Sequence, residues 1–266
     1  MKGLKWLLLI ILLSSLNLGL LVSIRNRSQV SKITMEDRES DKFRKQQCCK
    51  EFLEELEHWE ESDVARVVTV SMLMQDYEPQ KLLTDDRLLA LYKSREYRQM
   101  LEAYEAIWSD AEYFPVVSET AFWEDTWMST RDYGGHRQHE GCDIFGQKDI
   151  GGYYPICSMT KGTVEKIGWL PLGGYRIGIR APQGGYYYYA HLDSYEREFQ
   201  VGDFVSAGEI LGYMGNSGYG KEGTTGKFPV HLHLGIYIQT TTNRELSVNP
   251  YGVLRYIYKK NVKYSY

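Results

Sequence analysis

Two histidines stand two residues apart in the stretch "VHLHLGIY", which otherwise has the apolar character of a β-strand. Side chains alternate between the two faces of a strand, so His231 and His233 point the same way, with Cα atoms roughly 6.5 to 7 Å apart. Two imidazoles at that separation can act at one site. Histidines whose ring nitrogens are hydrogen-bonded inside the protein explain an isolated pair of this kind equally well.

A second group of polar side chains occurs in "HRQHEGCDIFG", where His139 and Asp143 flank Gly141. Glycine lets the chain turn, so that the imidazole and the carboxylate can converge. With one imidazole of the histidine pair, they offer two nitrogens and one oxygen, a ligand set that suits a catalytic zinc ion and leaves a fourth position for water. His191, in "YYYYAHLDS", and the other imidazole of the pair then remain available. This composition indicates a metal-dependent hydrolase.

Short β-prone runs with glycine-bearing turns are expected to position these residues. They are "GTVEKIGW", "YRIGIRAP", "GGYYYYAHL" and "VHLHLGIYI", and they predict an antiparallel β domain over residues 113–266. Residues 131–266 also hold 17 of the 22 tyrosines. Most tyrosines of the run 186–189 are expected in the core, although some could contact a substrate.

The preceding region, residues 25–112, has helical periodicity and almost no glycine or proline. Three helices are predicted. The first is amphipathic, with Phe52, Leu53, Leu56 and Trp59 on its apolar side, and the second is capped by Ser62 or Asp63 and runs to Met74. The third is capped within residues 84–86, and its apolar side carries Leu88, Leu89, Leu91, Tyr92, Leu101, Tyr104 and Ile107. Residues 1–130 have a net charge of -7 and residues 131–266 a net charge of +3, which indicates two differently built regions. The charged helical surface is a solvated face, or it binds a protein partner.

The N-terminus has the pattern of a membrane segment. Lys2 and Lys5 lie in a short cytoplasmic arm, residues 1–5, and precede an apolar run over residues 6–24, about 19 residues and therefore long enough to cross a bilayer. The run is longer than the apolar part of most cleaved signals and no A-x-A-like site follows it. We therefore expect an uncleaved, single-pass signal anchor in the cell membrane with the later domain outside the cytoplasm. The overall charge of -4 gives no indication of a nucleic-acid partner.

The four cysteines are compatible with that compartment. Cys142 and Cys157 are close enough in sequence for a disulfide, which the sequence leaves open. Cys48 and Cys49 are expected to be small apolar residues. Strand alternation turns Cys142 away from the face that carries Asp143.

The stretches "HEGCD", "YAHL", "VGDFVSAGEILGYMGNSG" and "HLHLGI" resemble the lysostaphin-type, LytM-like zinc metallopeptidases, which cut peptide bonds in bacterial peptidoglycan. The resemblance covers roughly residues 133–251. It implies a mainly β fold, a twisted antiparallel sheet with a groove, after the helical region and the transmembrane helix. It also implies zinc bound by His139, Asp143 and His233, with catalytic roles for His191, His231 and Tyr133, the last in binding a tetrahedral intermediate. Glu140 follows His139 in a turn and is not expected to be the general base, and His136 is expected at the surface.

The leading interpretation is a membrane-anchored zinc endopeptidase that acts on cross-links or cross-bridges of peptidoglycan. The alternative is a cell-wall scaffold or activator that uses the same domain for binding. All five metal and catalytic histidine and aspartate positions are filled, which favours the enzyme. A cupin-like metal-binding barrel also uses two histidines in this spacing, but it expects a glutamate soon after them, and the first one here is Glu245.

Overall fold

The first part of the molecule is helical. The computed structural model describes residues 2–59, 63–132 and 135–262. The elements up to residue 109 are α1 (Lys2–Val30), a 3-10 turn (Met35–Glu39), α2 (Asp41–Lys45), α3 (Lys50–Glu57), α4 (Val64–Met74), α5 (Arg87–Tyr92), α6 (Ser94–Tyr104) and a π-helical turn (Glu105–Ser109). Within the described residues, the one helical stretch long and apolar enough to cross a membrane is Leu4–Glu39.

Two of the three predicted helices are confirmed. Helix α3 buries Phe52, Leu53 and Leu56, whereas Trp59, predicted with them, lies beyond its end and is only partly buried. Helix α4 ends at Met74 and is capped by Asp63, whose carboxylate accepts a hydrogen bond from the backbone N–H of Arg66; Ser62 lies outside the described residues. Such a cap satisfies one of the N–H groups that a helix start leaves without a partner.

The third helix was predicted as one element, and this is wrong. The chain leaves the helical conformation at Lys93 and forms α5 and α6 instead. The break lets α6 turn back, so that the Tyr97 hydroxyl donates to the Asp86 carboxylate at 2.9 Å while Leu89 and Tyr97 are both buried. Leu91, predicted on the apolar side, is 71% exposed.

The second part is an antiparallel β-sheet, as predicted. Its strands are β1 (Phe122–Trp123), β2 (Thr130–Arg131), β3 (Arg137–Gln138), β4 (Cys142–Phe145), β5 (Pro155–Cys157), β6 (Gly162–Leu170), β7 (Gly174–Arg180), β8 (Tyr186–Tyr195), β9 (Phe204–Val205), β10 (Ile210–Met214), β11 (Leu232–Ile238) and β12 (Leu246–Val248), followed by α7 (Tyr251–Ile257). The main sheet has the order β1-β4-β11-β8-β7-β6-β9; β10 pairs with β5 and β8, and β12 pairs with β11. Strands β2 and β3 form a separate pair.

Alternation along β8 divides its tyrosines between two faces. Tyr187 and Tyr189 are fully buried in the core. The Tyr187 hydroxyl donates to the backbone oxygen of Ile107 at 3.0 Å, and the Tyr189 hydroxyl accepts from the backbone N–H of Met159 at 2.8 Å. Tyr186 and Tyr188 lie on the opposite face and line a cleft. The tyrosine run therefore contributes both to packing and to the cleft.

The helices and the sheet share one continuous cluster of buried apolar side chains. Trp108 donates from its ring nitrogen to the Gln46 side-chain oxygen at 2.9 Å, and both side chains are buried. The backbone N–H of Asn249 donates to the backbone oxygen of Arg44 at 2.8 Å, which ties the chain after β12 to α2. The helical part is thus packed against the β-sheet and α7 through α2, α3 and the turn Glu105–Ser109. The division at residue 113 stays a prediction.

All four cysteines are free thiols, so the disulfide that the sequence left open is not formed. Cys142 and Cys157 are fully buried, and their thiols donate to the backbone oxygens of Glu124 and Phe114. Cys142 faces the core, on the side of β4 opposite to Asp143, as alternation predicts.

Candidate active site

The pairing of β4 with β11 brings two polar side chains face to face. Asp143 lies directly opposite His233 in this antiparallel pair, and side chains of residues opposite each other share a face of the sheet. His139 enters from the loop before β4. Gly141 makes the close approach possible, because a Cβ there would lie 2.5 Å from the Leu234 backbone oxygen and 2.6 Å from the His233 ring.

Three ligand-type atoms meet at this point. His139 Nε2, Asp143 Oδ1 and His233 Nδ1 are each 3.0 Å from the other two, and all three side chains are buried or nearly so. Atoms around one zinc ion at bond lengths of about 2.0 to 2.2 Å are separated by distances of this order. The triangle is therefore a candidate metal centre.

Two further imidazoles face the triangle. His231 Nδ1 lies 2.8 Å from the backbone oxygen of Pro229, and His191 Nδ1 lies 2.8 Å from the backbone oxygen of Ser217. A carbonyl oxygen only accepts, so each Nδ1 carries the proton and each Nε2 keeps its lone pair. His231 Nε2 is 3.6 Å from Asp143 Oδ1. The rings of His191 and His231 are 4.9 Å apart.

Comparison with known proteins agrees with this geometry. The model of "Peptidase family M23" matches residues 137–250. A crystal structure from Ruminococcus gnavus, provisionally described as the glycyl-glycine endopeptidase lytM, is 41% identical, with a TM-score of 0.78 over 91% of this chain and 98% of that one. This chain belongs to peptidase family M23. The resemblance to the lysostaphin-type peptidases is thereby confirmed.

Two curated proteins share the M23 region. The L-Ala–D-Glu endopeptidase of Bacillus subtilis is 40% identical over 161 residues, 60% of this chain and 48% of that protein. Lysostaphin of Staphylococcus simulans is 32% identical over 107 residues, 40% of this chain and 19% of that protein. The chain thus spans about half the length of the first relative and about a fifth of the second.

Sequence reasoning missed the residues that orient the His139 side of the M23 site. His139 Nδ1 lies 3.1 Å from the Thr126 backbone oxygen, from Thr126 Oγ1 and from Arg131 Nη2, and these contacts orient the ring so that Nε2 faces the triangle. Arg131 donates to Asp143 Oδ2 at 2.8 Å, so the carboxylate presents Oδ1 to the other two ligand atoms. A threonine 13 residues and an arginine 8 residues before His139 form no motif.

A bulge in β8 aims His191 at the M23 site. Strict alternation would place His191 on the core face with Tyr187 and Tyr189. Between the pairs Tyr175–Leu192 and Ile177–Tyr189 the β7–β8 register shifts, so that β8 has one residue more than β7. His191 has a left-handed φ of +62° at this point, and its side chain lines the cleft. Bulges commonly redirect one side chain in this way next to active sites.

Burial and mutual contact shift the pKa values in the site. Burial lowers the pKa of His191 well below its ordinary value, and the neighbouring imidazoles of His231 and His233 act in the same direction. Burial also lowers the pKa values of His231 and His233. For Asp143, burial opposes ionisation, but hydrogen bonds from His139 and His233 outweigh it and lower the pKa of the carboxyl. The pKa shifts therefore favour the neutral forms of His191, His231 and His233 and the ionised form of Asp143.

The site lies in a cleft of about 770 Å³. Tyr186, Tyr188 and Tyr237 form part of its wall, and Tyr186 crosses β7 where Gly178 leaves room for the ring. Phe228 contacts both His191 and His231, with ring centroids 4.6 and 5.1 Å away.

Two other predicted positions have different outcomes. His136 is exposed, as expected, and pairs with Asp132 at 3.1 Å. Tyr133 lies outside the described residues, so its role stays a prediction. The structure brings together the other five predicted residues in this cleft: His139, Asp143, His191, His231 and His233.

Proposed function

We propose that this M23 protein is a zinc metalloendopeptidase that hydrolyses peptide bonds in bacterial peptidoglycan. The observation that carries the proposal is the 3.0 Å triangle of His139 Nε2, Asp143 Oδ1 and His233 Nδ1, with two further imidazoles beside it. Two neutral nitrogens and one carboxylate oxygen are a donor set typical of catalytic zinc sites. Bound there, zinc would polarise a substrate carbonyl and acidify water.

His231 and His191 are proposed to move protons and to stabilise charge. Each has Nδ1–H fixed by a backbone oxygen, so its Nε2 lone pair is directed into the cleft. His231 Nε2 can accept a proton from water next to Asp143, and the resulting imidazolium can donate to the leaving amine. His191, whose side chain the β8 bulge directs into the cleft, can hydrogen-bond there to the substrate oxygen or to the water. Tyr133 is proposed to assist at the tetrahedral intermediate, on the family resemblance alone.

The scaffold alternative requires no intact donor set. Here the metal-binding residues are not only present but buried, and His139 and Asp143 are held by Thr126 and Arg131. A domain used for binding alone has no need of this second layer of hydrogen bonds. The arrangement therefore supports the enzyme.

For the substrate, the relatives offer two types of bond. The Bacillus subtilis relative is named for cleavage between L-Ala and D-Glu, and the Ruminococcus gnavus one for cleavage between glycines. We propose a peptide of the wall as the substrate class here. We also propose that α1 is a single-pass signal anchor, since residues 4–24 are exposed and apolar, and that the cleft faces the wall outside the cytoplasm.

The test uses the full chain in detergent micelles, loaded with zinc. Purified peptidoglycans with different cross-bridges are digested with and without chelator, and new amino termini are identified by mass spectrometry. We expect chelator-sensitive release of fragments by the wild type and none by His139→Ala or His233→Ala, which should also lose zinc. If zinc-loaded wild type releases no fragment from any of these peptidoglycans, the enzyme proposal is wrong.

Resistance of the protein to carbonate extraction tests the anchor. A chain that leaves the membrane fraction under carbonate, or that starts after residue 24 when purified from membranes, contradicts it.

A further inference from the structure

One cation in the cleft has no partner. Arg176, on β7, lines the cleft, yet its Nε and Nη1 atoms are buried without a hydrogen bond. Its guanidinium makes no ion pair or hydrogen bond with any residue in the described parts of the chain.

Other cations of the cleft are differently placed. Arg131 donates to Asp143, Arg137 to the Tyr219 hydroxyl, and Lys166 pairs with Glu245. Lys227 is exposed to water. The Nε atoms of Arg131 and Arg137 are also buried without a partner, but each of those guanidiniums has an acceptor at Nη2, whereas Arg176 has none among the described residues.

A buried charged donor without a partner is costly, so its presence needs a reason. The guanidinium is a planar fork whose donors match the two oxygens of a carboxylate, and such pairs are among the stronger polar contacts in proteins. Burial raises the pKa of Tyr188 to about 12, while the positive charge of Arg176 acts on it in the opposite direction. Arg176 and Tyr188 line the same cleft, and there Arg176 offers hydrogen-bond donors that no residue in the described parts of the chain fills.

The sheet register places Arg176 relative to the metal centre. His233 pairs with Ala190 across β11 and β8, and Arg176 lies on β7 opposite the bulge that contains Ala190 and His191. Arg176 is therefore level with His233 and two strands away, which corresponds to a backbone separation of about 10 Å. One residue of an extended peptide and a side chain of glutamate length together cover a distance of that order.

We propose that Arg176 binds a free carboxylate of the substrate and makes the cleft selective for an acidic residue next to the scissile bond, rather than for a glycine bridge. This inference rests on the proposed peptidase function. In an L-Ala–D-Glu bond one carboxylate of the glutamate remains free, whichever carboxylate continues the chain. A run of glycines offers none.

The experiment compares two synthetic wall peptides that share one L-Ala–D-Glu bond. In the first the remaining carboxylate of D-Glu is free, and in the second it is a carboxamide. The full-length zinc-loaded protein is assayed for kcat/KM on each, as wild type, Arg176→Gln, Arg176→Lys and Arg180→Gln. Arg180 is the matched control, because it lies on the same strand but already pairs with Glu165 and does not line the cleft. The ratio of the two kcat/KM values does not depend on the fraction of protein that is folded.

We expect wild type to prefer the free carboxylate by about 10- to 100-fold, the range of a hydrogen-bonded charge pair. Arg176→Gln should abolish that preference by slowing the acidic peptide alone, Arg176→Lys should keep part of it, and Arg180→Gln should leave the ratio unchanged. Equal rates on the two peptides in wild type, or equal losses on both in Arg176→Gln, would overturn the inference.

Failure of the peptidase proposal is recognised separately, because wild type then cleaves neither peptide. In that event the same proteins are tested for binding of the two peptides by fluorescence anisotropy. Tighter binding of the acidic peptide that is lost in Arg176→Gln supports the carboxylate site on its own. Equal affinity for the two peptides, or a preference for the acidic peptide that Arg176→Gln does not change, rejects the carboxylate site.

Discussion

Substitution of Gly141 by alanine tests whether the close approach of β4 to β11 holds the metal triangle together. The added Cβ would lie 2.5 Å from the Leu234 backbone oxygen and 2.6 Å from the His233 ring, where ordinary contact begins at 3.4 Å. Relief requires a local opening of about 0.9 Å or a rotation of His233. Zinc sites tolerate errors in ligand distance of only about 0.2 Å. Loss of an outer hydrogen bond alone costs about 10- to 100-fold in metal affinity, so displacement of a ligand should cost at least about 100-fold.

The assay is a zinc titration against a chromophoric chelator, with turnover measured on the same samples. Gly202→Ala serves as the control: Gly202 has a φ of +98° with open space around it, so alanine there strains the backbone without contacting the site. That variant should lose about 1 to 2 kcal/mol of stability and keep its zinc affinity. Zinc affinity of Gly141→Ala within threefold of wild type, at a temperature where circular dichroism shows both variants folded, would refute the reasoning.

Three further predictions concern the site and the fold. His231→Ala should keep zinc, measured by elemental analysis, but lower kcat by about 10²- to 10⁴-fold through loss of the proton acceptor; loss of the metal would show that the roles of His231 and His233 are exchanged. Tyr187→Phe removes the hydroxyl that donates to Ile107 and should cost about 1 kcal/mol in urea unfolding; unchanged stability would mean that the hydrogen bond contributes nothing. Hydrogen bonds from Arg180 lower the pKa of Glu165 below 4.5, so this carboxylate adds stability above pH 4.5 that disappears as the pH falls through the folded-state pKa. Wild type should therefore have a free energy of unfolding that exceeds that of Glu165→Gln by about 1 kcal/mol or less at pH 7, and this difference should vanish at low pH. A difference in unfolding free energy that grows on acidification would contradict the prediction.

Much of the β-sheet was predictable from sequence because its local signals agree with one another. Period-2 alternation predicted that His231, directly before β11, and His233, within it, face the same way, and it turned Cys142 towards the core on β4. Gly141 indicated a turn, and the structure adds that a side chain there would collide with the facing strand. These features depend on near neighbours in the chain, which a single sequence records well.

The parts that could not be predicted depend on contacts between distant segments. The bulge at His191 depends on how β8 pairs with β7, which the sequence of β8 alone does not show. Alternation alone would have placed this side chain in the core. Thr126 and Arg131 orient ligands from outside the motif, with spacings that match no pattern. The break at Lys93 occurs together with the contact of Tyr97 with Asp86, whereas the local sequence is compatible with a continuous helix.

The shared core of helices and sheet has a mechanical consequence. Trp108 is hydrogen-bonded to Gln46, and the chain after β12 is hydrogen-bonded to α2. The β-sheet that carries the cleft is therefore not joined to the helices by a flexible linker alone. If α1 is the membrane anchor proposed above, the distance between the cleft and the bilayer would be limited by these contacts. An enzyme held in this way would reach only substrate that lies at that distance from the membrane.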